Sequence, residues 1–339
     1  MGATNLGETT DNKRYNNMIV LTGAAGFIAS NVLQLLNERG RTDVVIVDDF
    51  SREDKRCNWQ GLGYQEQIDR GSFFEWFESH GDEVEAVIHL GARTDTTEFD
   101  WRVFEELNLG YSQRMWNLCS RKGIALVYAS SAATYGNGEL GYHDTLDIVE
   151  RLQPLNPYGR SKNEFDKWAI GQVAAGCQPP FWAGLKFFNV YGPHEQHKGR
   201  MASVVLHTYQ SVKQRGYMEL FRSHRPEYAD GMQLRDFVYV KDVADVILFM
   251  LQQRPENGLY NVGTGKAESF LELANATFDA MRRQRDIRFV DIPEDIRDKY
   301  QYFTEADITH LRKAGYDKPF KTLRQAVPLY VEQLDKCNK

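Results

Sequence analysis

Cysteine is rare in this chain, and its pattern excludes more than it suggests. Four thiols, Cys57, Cys119, Cys177 and Cys337, are scattered over 339 residues without a C-x-x-C spacing. They read as free thiols in a reducing compartment rather than a disulfide framework. No apolar run approaches the roughly 20 residues of a membrane span. The polar stretch from Met1 to Asn17 has no apolar segment of the secretory type and reads as a disordered extension. No Lys/Arg run is long enough to follow a phosphate backbone, which argues against nucleic acid. The densest one, Arg282-Arg283-Gln284-Arg285, reads as a solvated helix end. These absences lead to the expectation of a cytoplasmic protein with neither a nucleic-acid nor a membrane partner.

What is present is a large core. Hydrophobic residues make up 42% of the chain and the formal net charge is −6, so a globular protein of about two domains is expected. The apolar run Met18–Thr22 leads into Gly23-Ala24-Ala25-Gly26-Phe27-Ile28-Ala29 and then into a helical pattern at Val32, Leu33, Leu35 and Leu36. Glycines at a strand-to-helix turn let the backbone approach a pyrophosphate, and the helix N-terminus favours the anion. A second strand, Val44–Val47, ends in Asp48-Asp49, about 20 residues past the loop, where an acid can grip a ribose hydroxyl.

Strand–helix alternation continues through Ala86–Leu90, a helix over about Trp101 to Lys122, and Ala125–Ala129, with Gln65–Arg70 the faintest strand. This pattern implies a parallel sheet with right-handed crossovers, binding its ligand beyond the carboxyl ends of the strands. Past Asn189 the pattern changes. The chain is expected to return to the sheet at Phe237–Val240.

Asn156-Pro157-Tyr158-Gly159-Arg160-Ser161-Lys162 places Tyr158 and Lys162 one helical turn apart on one face. An ammonium beside a phenol favours phenolate and makes it a usable base. Ser130-Ser131, at the end of the preceding apolar run, adds a hydroxyl.

Glycine loop, serine pair and Y-x-x-x-K together resemble the extended short-chain dehydrogenase/reductase family. Tyr128–Gly136, Phe187–Pro193, Arg235–Val240 and Tyr260–Gly265 resemble its nucleotide-sugar enzymes. His197–Ser203 and Ala314–Thr322 are similar to its ADP-heptose 6-epimerase branch. The resemblance implies an α/β fold: a Rossmann-type doubly wound parallel sheet (18–188 plus about 237–263) and a smaller mixed α/β substrate domain (about 189–236 and 264–335). It also implies a homo-oligomer that handles a lipopolysaccharide heptose precursor, with bound NADP, or NAD given the two acids.

The implied chemistry is transient oxidation of C6 of a nucleotide sugar and return of the same hydride to its other face. Tyr158 and Lys198 would transfer protons, Ser131 would bond the reacting oxygen, and Lys162 would hold the nicotinamide ribose. From spacing alone Lys198 reads as an exposed loop lysine. The cofactor would be lined by Gly23, Gly26, Phe27, Ile28, Asp48, Asp49 and Lys55. Leu90, Gly91, Ala92, Arg93, Thr94, Asn108 and Val190 complete that wall. The nucleotide sugar would meet Asn189, Lys198, Arg200, His207 and Tyr300, with Phe221, Arg222, Ser223 and His224. Arg235 would pair the diphosphate two-pronged; otherwise it reads as a surface ion pair with Asp236 or Asp230. Asp49 stands where the family often has Asn, Arg200 where serine is usual, and the loop Arg222–Leu234 looks longer than the family's.

Two motifs are set aside. His194-Glu195-Gln196-His197 lacks H-E-x-x-H spacing, so no metal is expected, and Gly263-Thr264-Gly265-Lys266 lacks the rest of a phosphate loop. The dehydratases of the family it resembles carry an Asp-Glu pair after this threonine; here Thr134 is followed by Tyr135-Gly136, so the resemblance implies no dehydration. A 4-epimerase of a UDP-hexose, working with the tyrosine alone, and a catalytically silent nucleotide-binding protein remain alternatives.

Overall fold

The computed structural model describes residues 18–96, 98–297 and 300–337. The expected extension over 1–17 lies outside the described residues. The first half contains β1 (Met18–Thr22), α1 (Phe27–Glu38), β2 (Val44–Asp48), β3 (Glu66–Asp69), α2 (Phe73–His80) and β4 (Val84–His89). It continues with α3 (Trp101–Phe104), a π-helical turn over Glu105–Gly110, α4 (Tyr111–Lys122), β5 (Ala125–Ser131), α5 (Pro157–Ala174) and β6 (Trp182–Phe187). The second half contains β7 (Asn189–Tyr191), α6 (Val204–Arg215), β8 (Met218–Phe221), β9 (Leu234–Tyr239), α7 (Val240–Gln253) and β10 (Gly258–Val262). β11 (Ala267–Ser269), α8 (Phe270–Ala280), β12 (Ile287–Val290), α9 (Glu294–Arg297), α10 (Thr309–Lys313) and α11 (Leu323–Cys337) follow.

A seven-stranded sheet runs in the order β10-β6-β5-β4-β1-β2-β3, every neighbouring pair parallel. Both faces of β1, β2 and β6 are buried, as expected of a parallel sheet covered by helices. The faint strand is real and takes the edge, where its polar residues meet water. The strand order reverses between β1 and β4. Register carries Thr22 opposite Val47 and His89, and Ser131 opposite Phe187, so their carboxyl ends form one rim.

The expected return at Phe237–Val240 needs correction. β9 joins a three-stranded sheet with β7 and β11. The chain rejoins the large sheet through α7, which packs on α1, and through β10 beside β6. An apolar run of this length suits either sheet, and its pairing depends on β7, 45 or more residues earlier in the chain. β12 and β8 form a separate parallel pair. Among the described residues, no helix is long and apolar enough to cross a membrane.

Candidate active site

The rim of the large sheet opens into a cavity of about 740 Å³. Its floor is the glycine loop. Gly23 has φ +70°, and a Cβ there would lie 2.8 Å from the Cα and the N of Gly91. The loops after β1 and β4 come this close because Gly23 carries no side chain. A Cβ on Gly26 would lie 2.9 Å from the Gly23 carbonyl oxygen. The result is a bare backbone cradle at the start of α1, shaped for the phosphates of a dinucleotide.

At the carboxyl end of β2, Asp48 accepts from the Ala25 N–H at 3.0 Å and the Asp49 N–H at 2.7 Å, with the Lys55 ammonium 3.4 Å away. Arg52 and Arg70 also line this end. Asp49 does not reach the cavity wall. Its carboxylate turns to Ser51 and, at 3.6 Å, to Arg70. Asn108 sits behind the wall in the π-helical turn. It clamps the Arg93 N–H at 2.8 Å and carbonyl at 3.0 Å and donates to Ser161 at 2.9 Å, so it shapes the Leu90–Thr94 loop from beneath.

α5 builds another part of the cavity wall. Asn156 caps it, accepting from the Gly159 N–H at 2.8 Å, and Pro157 opens its first turn. Tyr158 and Lys162 therefore face the rim, beside Ser131. The expected phenolate is not favoured. Burial raises the Tyr158 pKa despite a hydrogen bond with Ser131 that lowers it. Burial also lowers Lys162 to about 8. The Lys162 ammonium donates to the Ala129 carbonyl at 2.8 Å. Desolvation outweighs the helical proximity that the spacing suggested.

Lys198 is no exposed loop lysine. It lines the same cavity as Tyr158 and Ser131, 5.0 Å over the Phe27 ring, and burial lowers its pKa against the opposing pull of Glu195. Asn189 and Val190 line the cavity as well. Arg200, His207, Phe221, Arg222, Ser223, His224, Arg235 and Tyr300 lie outside its wall. Arg222 pairs with Asp230 and Asp291 instead. Arg235, 6% exposed, has no carboxylate partner among the described residues. It donates to the carbonyls of Leu234 and Gln301 and lies 5.6 Å from the rings of Phe270 and Tyr300. Gln301 and Phe270 line the cavity, so this guanidinium waits one residue behind it. The surface ion pair considered from sequence is not formed.

Sequence reasoning missed the support under the rim. Asp166, one further turn along α5, accepts from Ser130 at 2.7 Å, Tyr128 at 3.1 Å and Lys186 at 2.8 Å. Lys186 also donates to Thr134 at 2.8 Å, and Thr134 donates to the Ser131 carbonyl at 2.8 Å. A lone lysine in the apolar run Trp182–Phe188 was the available signal. Gly263–Gly265 is a turn pinned by Asp236, which accepts from the Thr264 and Gly265 N–H groups at 2.7 and 2.9 Å. Among the described residues no group of three or more His, Cys, Asp or Glu could hold a metal ion.

A profile of the NAD dependent epimerase/dehydratase family matches residues 19–263. The ADP-L-glycero-D-manno-heptose-6-epimerase of Fusobacterium nucleatum is 48% identical over 325 residues, covering 93% of this chain and 97% of that protein. That of Nitratidesulfovibrio vulgaris is 46% identical over 319 residues, with the same coverage of 93% and 97%. The crystal structure of the Helicobacter pylori ADP-L-glycero-D-manno-heptose-6-epimerase superposes with a TM-score of 0.77 at 25% identity, covering 96% of this chain and 98% of that one. The Thermus thermophilus UDP-glucose 4-epimerase in complex with NAD gives 0.75 at 25% identity, over 94% and 99%. The cavity lies at the switch point of a doubly wound sheet, its motifs keep their spacing, and the match spans most of the chain: this protein belongs to the NAD dependent epimerase/dehydratase family.

Proposed function

We propose that this chain interconverts ADP-D-glycero- and ADP-L-glycero-D-manno-heptose at C6 by transient oxidation and re-reduction. The observation that carries the reading is the pairing of Tyr158 with Lys198 in one cavity beside Ser131. A 4-epimerase that works with the tyrosine alone has no use for a half-buried lysine there.

The bare backbone at Gly23 and Gly26 fits a dinucleotide, which supplies reversible hydride acceptance when bound. NADP is the form favoured by Lys55, Arg52 and Arg70, three cations around the two acids Asp48 and Asp49. Lys162 is the residue to hold the nicotinamide ribose, and Arg235 the one to take the diphosphate. In this reading 18–188 with about 240–263 bind the cofactor, and the small sheets and 264–335 grip the nucleotide sugar. The same reading makes the enzyme a cytoplasmic homo-oligomer acting on a lipopolysaccharide heptose precursor.

Oxidation removes the C6–H as hydride and the hydroxyl proton to a base; re-reduction from the other face returns both. Burial favours the neutral amine at Lys198 and the neutral phenol at Tyr158, so in one direction the amine can accept the hydroxyl proton while the phenol gives one, and in the reverse direction the roles exchange. The Ser131 hydroxyl bonds the reacting oxygen and orients it. The hydride never enters water in this scheme. Product formed in deuterium oxide should therefore carry no deuterium at C6 by proton NMR. Substantial solvent deuterium there overturns the redox mechanism.

A further inference from the structure

The loop that carries Lys198 is fastened to the glycine loop, not to its own neighbours alone. His194 has φ +74°, a backbone conformation uncommon for a side chain with a Cβ. Such geometry persists only where surrounding contacts over-determine it. Here they come from the dinucleotide-binding elements. Ser30 Oγ meets His194 Nδ1 at 2.9 Å, and Asn31 donates to the Pro193 carbonyl at 3.0 Å, both from α1. Asn58, 2% exposed, directs its amide nitrogen at the Ala25 carbonyl (3.0 Å), the His194 carbonyl (3.2 Å) and His197 Nδ1 (3.1 Å). One side chain thus touches the cofactor loop and both residues flanking the turn into Lys198. The far end of the loop is closed by Glu195, fully buried, which accepts from the Ser203 N–H at 2.6 Å and Oγ at 2.5 Å.

We propose that Asn58 is a positioning residue that sets Lys198 in register with the nicotinamide-binding loop. Asn58 does not line the cavity, so it acts through the loop and not on substrate. His197 is kept neutral by burial, its pKa lowered to about 4, so its Nδ1 can accept from an amide at working pH. The inference rests on Lys198 being the second proton-transfer group. A misplacement of about 1 Å in a reacting group can cost about 100-fold.

The test is a double-mutant cycle on the full chain with its bound cofactor, following epimer interconversion. Asn58→Ala should lower kcat about 100-fold with little change in substrate KM. Lys198→Met alone should lower kcat by about 10²–10⁴-fold. In the Lys198→Met background, Asn58→Ala should change kcat by less than about twofold, because its target is already gone. If the two losses multiply instead, Asn58 acts elsewhere and the proposal is overturned. If Lys198→Met collapses turnover while Asn58→Ala keeps it near wild type, the strut is wrong and the second-base reading stands. If Lys198→Met keeps wild-type turnover, the second-base reading fails, and the proposal with it. Should Asn58→Ala fail to fold, Ser30→Ala, which removes the His194 contact, enters the same cycle with the same two expectations.

Discussion

Replacing Lys186 by methionine tests the support under the rim. Lys186 and Asp166 are both 0% exposed, with Nζ and Oδ2 2.8 Å apart. Methionine nearly matches the length of the lost side chain, so the main effect is electrostatic rather than a cavity. Removing one partner of a buried pair costs about 3–5 kcal/mol, because the other charge stays buried. Asp166 keeps the hydroxyls of Ser130 and Tyr128, which places the loss near the lower end, about 3 kcal/mol. The unfolding entropy of a chain this size is roughly 0.7 kcal/mol per kelvin, so the thermal midpoint should fall by about 4 °C. Circular dichroism during heating measures it. Adding Asp166→Asn removes the orphaned charge, and the double variant should recover at least half of the loss. A Lys186→Met variant that melts within about 1 °C of the parent would refute the reasoning. Single losses that simply add in the double variant would do so as well.

Acid should destabilise the fold through buried imidazoles. Burial lowers His89 to about 3 and His194 and His197 to about 4, below the ordinary 6.5. Below pH 6.5 the unfolded chain takes up protons that the folded one refuses, so stability is full above that pH and falls toward pH 4. Near pH 5 the slope approaches about 3 kcal/mol per pH unit for the two deeper protons, on His89 and His194, with a smaller, solvent-screened addition from His197. Urea unfolding at pH 7, 6 and 5 measures it, and equal stability at all three would contradict the burial argument. The second expectation concerns the cofactor. Mass spectrometry of small molecules released on denaturation should find NADP, and NAD alone would mean that Asp48 and Asp49 outweigh Lys55, Arg52 and Arg70.

The legible parts of the sequence are those whose signal is local. The glycine turn, the edge strand Glu66–Asp69 and the Tyr158–Lys162 spacing each fit within a few residues, and each is where the periodicity put it. What escaped depends on distance in the chain. Asn58 meets His197 across 139 positions, and no window of sequence contains both. Arg235 shows the same limit: Asp236 follows it in sequence, but its neighbours in space are Phe270, Tyr300 and two carbonyls. The error over Tyr158 had another origin. Helical spacing gives proximity to Lys162 but says nothing of how deeply both are buried.

That burial also acts in opposite directions on two groups of similar ordinary pKa. In water a tyrosine and a lysine titrate close together, at about 10 and 10.4. Desolvation penalises whichever form is charged, so burial raises Tyr158 and lowers Lys198. The two shifts run in opposite directions: the phenol holds its proton more tightly and the amine gives its own up more readily. Glu195 works against the lysine's shift and Ser131 against the tyrosine's, which limits how far either moves. In the proposed reaction both shifts rest on how far Lys198, over Phe27, and Tyr158, beside Ser131, stay buried. The Lys198 side of that burial is carried by a loop held to the glycine turn through Ser30, Asn31 and Asn58.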